Sequence, residues 1–231
     1  MRNLLILAAA TMPLAAPAIA AERHYSVTSF DRIRIDGGYR VTLATGVAPF
    51  ATASGNQAAL DGVTIDVQGR TLIVHADRAA WGVTPTEGRG PLTITLGTHD
   101  LTAAWVNGAG SLTIDRVRGL GFDLALQGAG AASIGDVAID QFRLAMAGSG
   151  IVRLAGTVHR LTAIVRGSST LEASALATKD AVIGAEGPST VRVGVSNSAK
   201  VDAAGLAAVS LVGAPACTIK LSGSATVEGC K

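Results

Sequence analysis

The chain has 231 residues, 48% of them hydrophobic, with 19 Lys and Arg against 17 Asp and Glu. Only 3% of the residues are aromatic, whereas 28 are glycine. This length allows one or two domains with a substantial core, and the low charge excludes a highly charged disordered polymer. A net charge of +2 gives no field that would attract nucleic acid, so no nucleic-acid partner is expected.

The first twenty residues are typical of a secretory signal peptide. Arg2 supplies the positive charge, an apolar run follows it, and Ala18-Ile19-Ala20 has the small-x-small pattern of a cleavage site. We therefore expect a signal peptide at 1–20 and a mature chain at 21–231, exported to the periplasm or cell surface of a bacterium. That mature chain should contain no transmembrane span, while a retained N-terminal anchor is the alternative.

The N-terminal third is predicted to be β-structure of low regularity. Segments 63–67 and 71–74 alternate apolar with polar residues across Gln68-Gly69-Arg70, which predicts a hairpin. No stretch beyond residue 21 has the spacing of an amphipathic helix.

The two tryptophans are assigned to different environments. Residues 78–91 form the longest candidate loop, and Trp81 within it is the candidate binding residue, because an exposed indole suits a sugar or a protein partner. Trp105 lies on an alternating strand and is expected in the core.

A small, turn-forming triplet recurs at steps of 20, 20, 19 and 20 residues. Short alternating apolar runs flank each triplet, so one face of each predicted strand is buried and the other carries polar residues. The predicted structural turns are Gly108-Ala109-Gly110, Gly128-Ala129-Gly130, Gly148-Ser149-Gly150, Gly167-Ser168-Ser169 and Gly187-Pro188-Ser189.

After Gly187 the self-similarity continues with a different step. Residues 187–199 align with 213–225 at an offset of 26, which keeps the apolar positions in phase. This alignment adds Gly213 and Gly223 to the predicted turns.

Two all-β folds use such a unit. In a parallel β-helix each unit is one coil of a solenoid and the triplets stack along one corner, whereas in an antiparallel β-sandwich each unit is a hairpin. We favour the β-helix, because small residues at a constant phase allow backbones to stack closely. The regular repeats are expected at about 92–228, within a single domain.

The sequence resembles the head GIN domain family over about residues 28–228. The resemblance lies in FDRIRIDGGYRVTLATG near the start, in VTIDVQGRTLIVHAD, and in the serial glycine-rich turns between short strands. Members are exported bacterial proteins labelled autotransporter adhesin heads, which implies a right-handed parallel β-helix with an adhesin-type role. The turns at 167–169, 196–198 and 213–215 depart from the family's glycine-serine-glycine pattern.

No catalytic or metal site is predicted, and no cofactor is expected. Acid–histidine pairs at Asp66 and His75 and at His99-Asp100, together with Asp115 near Arg116 and Arg118, lie at predicted turns or on solvent faces, where polar residues belong. His24 and His159 are isolated, and the turn serines Ser149, Ser168 and Ser189 lack a recurring histidine partner.

Cys217 and Cys230 are the only cysteines. Export into an oxidising compartment would favour a disulfide between them, and two free thiols are the alternative.

Three functions remain open from the sequence. The first is a non-catalytic envelope or cell-surface scaffold that binds an unidentified polysaccharide or protein. The second is a carbohydrate-active β-helix enzyme, a lyase or hydrolase, which would need carboxylates converging in a groove. The third is an assembly role in which coil ends stack between protomers.

Overall fold

A computed structural model describes residues 21–77 and 91–231. The described chain is almost entirely β-structure, with one short helix. The elements are β1 (Ala21–Tyr25), β2 (Arg32–Asp36), β3 (Arg40–Thr45), β4 (Phe50–Gly55), α1 (Gln57–Asp61), β5 (Val63–Gln68), β6 (Thr71–Ala76), β7 (Thr93–Thr98), β8 (Ala103–Gly108), β9 (Ser111–Gly128), β10 (Ala131–Gly148), β11 (Ile151–Gly167), β12 (Thr170–Glu186), β13 (Thr190–Gly205), β14 (Ala208–Val212), β15 (Ala216–Gly223) and β16 (Thr226–Glu228).

The regular part is a β-solenoid of about six stacked parallel turns, which confirms the favoured fold over the sandwich. Each of β9 to β13 forms most of one turn and pairs in parallel with the next along nearly its whole length. Parallel in-register stacking satisfies the backbone hydrogen bonds of every inner turn.

The core is a column of inward-facing aliphatic side chains between the walls of the solenoid. Residues at alternate positions are buried, as the sequence pattern predicts, and the same position is buried in successive turns. Phe122 and Phe142 pack against each other with ring centroids 5.6 Å apart and ring planes tilted by 58°, and they are the largest fully buried side chains.

The glycine triplets form one corner of the solenoid. At Gly148, φ is +121° and a Cβ would lie 2.4 Å from the carbonyl oxygen of Gly128 in the turn below, so only glycine fits without displacing the backbone. The same corner begins at Gly37, because Gly108 and Gly110 lie against its backbone.

The predicted 26-residue offset is wrong, since the last turns are 18 residues long. Thr190 pairs with Ala208 and Gly205 pairs with Gly223. Gly205 and Gly223 therefore continue the glycine corner, whereas Gly213 lies at a different corner, against Val195. Both offsets are even numbers, so alternation of apolar and polar residues cannot distinguish between them.

The first turns are not stacked in the order of the chain. Strand β3 lies between β7 and β9, and β2 lies between β6 and β8. Strands β6 and β7 therefore pair with the edges of β2 and β3 that face away from the later turns, although they follow β2 and β3 in the chain. This arrangement aligns Thr52, Thr95, Thr42 and Thr113 across four adjacent strands. The threonine positions are therefore neighbours in space although they are scattered along the sequence.

The N-terminal end of the solenoid is covered by antiparallel strands and one helix turn. Strand β4 pairs with β7 and strand β5 with β6, so the predicted hairpin at 63–74 is confirmed. Helix α1 was not expected from the sequence. It begins after Asn56, whose side-chain oxygen accepts a hydrogen bond from Ala59 N at 2.7 Å, and it buries Leu60.

The C-terminal end is less covered. Strand β15 pairs only with β13, and its inward positions Ile219 and Leu221 remain 42% and 50% exposed. Cys217 and Cys230 are joined as a disulfide with Sγ–Sγ 2.01 Å, which links β15 to the residue that follows Gly229.

Candidate functional site

The acid–histidine pairs named from the sequence are held in separate places. His75 Nε2 lies 3.4 Å from Asp66 Oδ1 on neighbouring strands, while His75 Nδ1 contacts the carbonyl of Ala76 at 2.9 Å. His99 and Asp100 line a cavity of about 170 Å³ with Arg116. The two pairs therefore lie at different sites and do not share a groove.

Asp115 connects two neighbouring strands by hydrogen bonds to their backbone. Its Oδ1 accepts hydrogen bonds from the backbone N–H of Thr45 at 3.0 Å and of Arg116 at 2.7 Å. This carboxylate therefore fixes the end of β3 against β9.

The isolated histidines His24 and His159 contact residues other than the turn serines. His24 Nδ1 lies 3.2 Å from the Thr52 hydroxyl, and His159 lies 3.4 Å from Asp140. The Ser189 side chain is buried in the corner of the solenoid and has no hydrogen-bond partner there. Among residues 21–77 and 91–231, no group of three or more His, Cys, Asp or Glu is placed to hold a metal ion.

Several carboxylates with a lowered pKa stabilise contacts between turns. Hydrogen bonds from Ser198 and then from Asn197 lower the pKa of Asp180, at oxygen–donor distances of 2.6 and 2.7 Å. The Arg118 guanidinium lowers the pKa of Asp136 in the same way. All three partners come from an adjacent turn, and the groups lie on the surface. These shifts therefore reflect stacking of the solenoid and not a catalytic centre.

Trp105 faces outward, which corrects its expected place in the core. Its neighbours Ala104 and Val106 are fully buried and point inward, so the indole between them lies on the outer face of β8, where it is half-buried. Alternation along Ala104-Trp105-Val106 could have shown this, but the size and apolar character of the indole favoured the opposite assignment.

The indole of Trp105 lines an open groove of about 730 Å³. The groove crosses the outer faces of β5, β6, β2, β8 and β9, whose strands are paired in that order. Its lining residues are Arg34, Asp36, Gln68, Thr71, Ile73, Trp105, Asn107 and Gln127.

The charged groups of this Trp105 groove neutralise each other. Arg34 Nε lies 2.8 Å from Asp36 Oδ2, and Asp36 Oδ1 accepts a hydrogen bond from Asn107 Nδ2 at 2.6 Å. One cation and one anion therefore form a closed pair, and the rest of the groove is lined by amide, hydroxyl and apolar side chains. Asp36 is the one carboxylate among the lining residues. Asp66 lies beside the groove, where its Oδ2 accepts a hydrogen bond from the lining residue Gln68 at 2.9 Å.

A shallow apolar strip continues from Trp105 down the solenoid. Trp105 pairs with Ala125, and Ala125 pairs with Ala145, which pairs with Ile164. These outward positions carry small or aliphatic side chains, and the Arg143–Asp123 ion pair, with N–O 3.3 Å, lies along one side.

A second cavity, of about 550 Å³, lies at the corner that contains Gly213 and has a mainly apolar lining. It forms where β12 and β13 lose their regular register between Ala173 and Ala177, and it is lined by Leu176, Val195 and Gly213 among others. The change in turn length therefore leaves a gap at this corner.

A family model described as putative auto-transporter adhesin, head GIN domain, matches residues 29–215. The chain belongs to this family. The match spans the stacked turns as far as β14 and includes the Trp105 groove, and it agrees with the resemblance seen in the sequence. No curated protein matches the chain.

Solved structures similar to this head GIN domain protein share its fold. A putative adhesin from Bacteroides fragilis has a TM-score of 0.76 at 17% identity, with 90% of this chain and 94% of that chain covered. A putative lipid binding protein from Parabacteroides distasonis has a TM-score of 0.68 at 17% identity, with 91% and 96% covered. A putative adhesin from Parabacteroides merdae has a TM-score of 0.66 at 15% identity, with 93% and 98% covered. At these identities the likeness shows the fold alone.

Two further sequence expectations concern residues outside the described ranges. Trp81, the candidate binding residue, lies within 78–90, and the predicted signal peptide lies within 1–20. In the described part of the chain, no helix has the length and apolar character needed to cross a membrane.

Proposed function

We propose that this head GIN domain protein is a non-catalytic binding module, exported to the envelope or cell surface, which presents an open groove on a rigid solenoid. The observation that carries the proposal is the Trp105 groove, where an indole faces outward between polar side chains and Asp36 is the one carboxylate of the lining. Outward aromatic side chains in a groove are typical of binding sites.

The solenoid suits such a role because each turn is locked to its neighbours. A ladder of parallel hydrogen bonds and a continuous aliphatic core hold the outer face in place, so a ligand meets a preformed surface. The adhesin labels of the family and of two similar structures support a role in binding. The signal-like residues 1–20 support export.

The test of this function has two parts. The precursor is expressed in a bacterial host, the exported fraction is isolated, and mass spectrometry establishes the N-terminus, which we expect at Ala21. The exported protein is then titrated onto isolated bacterial envelopes and onto purified envelope polysaccharides, while soluble products and new reducing ends are measured in the same samples.

We expect saturable binding with no product released over time. Release of product in proportion to time and protein would overturn the proposal in favour of a carbohydrate-active enzyme. Protein that stays in the cytoplasm, or that binds no envelope preparation, would also overturn it.

A further inference from the structure

Trp105 is an aromatic residue that the core does not use. Phe30, Phe122 and Phe142 are buried in the core, whereas Phe50 is 41% exposed and Trp105 is half-buried. Trp105 lies on the outer face of the sheet, where it lines a groove and does not contribute to the packing of the core. An aromatic side chain that lines a groove is a typical anchor for a ligand.

The chemistry around the indole fits a sugar ring. The flat face of an indole carries partial negative charge, and the C–H face of a pyranose presents partially positive hydrogens to it. Amide side chains lie close by, because Asn107 is two residues after Trp105 on the same face of β8 and pairs with Gln127 on β9. An amide both donates and accepts hydrogen bonds, as a sugar hydroxyl does. The Asn107 side chain donates one N–H to Asp36, and its second N–H and its Oδ1 face a ligand, while its backbone carbonyl accepts from Gly37 N.

The charges of the groove indicate an uncharged ligand. Arg34 is paired with Asp36 at 2.8 Å, so the groove has no excess cation for a uronate or a sulfate. A charged polysaccharide would have to separate this pair or leave its own charge desolvated beside it, and either step weakens binding.

The apolar strip gives the direction in which a polymer would lie. Ala125 and Ala145 continue from Trp105 across successive strands, and neighbouring strands are about 4.8 Å apart, so the strip from Trp105 to Ile164 extends about 14 Å along the solenoid. Small side chains at Ala125 and Ala145 leave room for an extended chain, and the Asp123–Arg143 pair borders it on one side.

From these observations we infer that the Trp105 groove binds an uncharged glycan, which stacks one sugar ring on Trp105 and extends along the axis of the solenoid over Ala125 and Ala145. This inference rests on the proposed binding function and names its ligand class and site. Trp105 supplies the stacking surface, and Asn107 and Gln127 supply the hydrogen bonds that orient the ring.

The test uses the exported chain and soluble neutral glycans, namely a mixed-linkage β-glucan, an arabinoxylan and a mannan. Polygalacturonate serves as the charged comparison, and phosphatidylcholine vesicles as the lipid comparison. Because the chain has only two tryptophans, the variant Trp81→Phe makes Trp105 the sole indole and its emission a direct report on the groove.

We expect at least one neutral glycan to shift the emission of Trp105 in the Trp81→Phe protein, with an affinity that changes little between about 50 and 500 mM salt, roughly one third to three times physiological ionic strength. Trp105→Ala should weaken binding at least about tenfold, Trp105→Phe should weaken it less, and Asn107→Ala should weaken it without removing an aromatic ring. Leu120→Ala, at a side chain 82% exposed, is the matched control and should bind as the parent does.

Thermal unfolding of each variant verifies that the solenoid is intact, and Asn107→Ala keeps the test decisive if Trp105→Ala fails to fold. The inference is overturned if neutral glycans bind Trp105→Ala and Asn107→Ala as tightly as the parent, or if Trp81→Phe alone abolishes binding. It is also overturned if only polygalacturonate or the vesicles bind. Envelope binding by the parent that persists in Trp105→Ala would contradict this site and leave the proposed function intact, whereas no envelope binding by the parent contradicts both.

Discussion

Replacement of Gly148 by alanine tests the close stacking of the glycine corner. Gly148 has φ +121°, and an added Cβ would lie 2.4 Å from the carbonyl oxygen of Gly128 and 3.0 Å from its Cα. Two costs therefore combine, the strain of a positive φ in a residue with a side chain and the displacement of a backbone that is hydrogen-bonded on both sides.

The magnitude follows from separate estimates of the two costs. Alanine at positive φ costs about 1–3 kcal/mol, and overpacking against a rigid neighbour adds about 1–3 kcal/mol. Gly148→Ala should therefore lower the free energy of unfolding by about 2–6 kcal/mol, which corresponds to a fall in Tm of about 5–20 °C for a chain of this size.

Two other glycines provide matched controls for the same substitution. Gly119 has φ +128° and nothing within 4 Å of its would-be Cβ, so Gly119→Ala should show the strain alone, about 1–3 kcal/mol. Gly184 has neither a positive φ nor a neighbour within 4 Å, and its replacement in a strand should leave stability unchanged or raise it by up to about 1 kcal/mol.

The assay is chemical denaturation followed by circular dichroism, with Tm values from calorimetry for the same three variants. The expected order of stability is Gly184→Ala, then Gly119→Ala, then Gly148→Ala. Equal losses for Gly119→Ala and Gly148→Ala would refute the contact between turns, and no loss in Gly148→Ala would refute the stacked corner altogether.

Three further predictions concern the core, the disulfide and the dependence on pH. Phe142→Ala should cost about 3–5 kcal/mol in denaturant unfolding, because the ring is fully buried against Phe122, and a loss below about 1 kcal/mol would contradict this packing. Changing both Cys217 and Cys230 to serine should cost up to about 3 kcal/mol, from the 13-residue separation. Hydrogen exchange should then increase in β15 and β16 and stay constant in β9 and β10, and a uniform increase would contradict local stacking. The dependence on pH follows from Asp180, whose pKa in the folded protein is lowered by hydrogen bonds from Ser198 and Asn197. The stability that Asp180 contributes is therefore present above the unfolded pKa of about 3.9 and is lost as the pH falls through the lower folded pKa. Tm should fall between pH 5 and pH 2, roughly the range of Asp titration, and fall less steeply in Asp180→Asn, whereas a Tm that rises on acidification would contradict the assignment.

The sequence by itself determined that the fold is all-β and where the glycine turns lie, and it favoured the β-helix over the β-sandwich. Alternation of apolar residues and the constant step of the glycine triplets indicate that successive units repeat the same inward positions, with small residues at one phase. These features are local or strictly periodic, so they can be read without coordinates.

The stacking order of the first strands and the register of the last turns were decided by the tertiary structure. Offsets of 18 and 26 both preserve alternation, so the hydrogen bonds between Thr190 and Ala208, and the space available at the corner, select the shorter turn. The insertion of β6 and β7 outside β2 and β3 depends on contacts between segments far apart in sequence.

The candidate site shows the same division. Each lining residue of the Trp105 groove is an ordinary strand residue in the sequence, and nothing in the local pattern joins Arg34, Ile73 and Trp105. They become neighbours because β2 pairs with both β6 and β8. A binding surface that crosses strands is a property of the stacking order, which non-local hydrogen bonds and core packing fix only when the whole solenoid has formed.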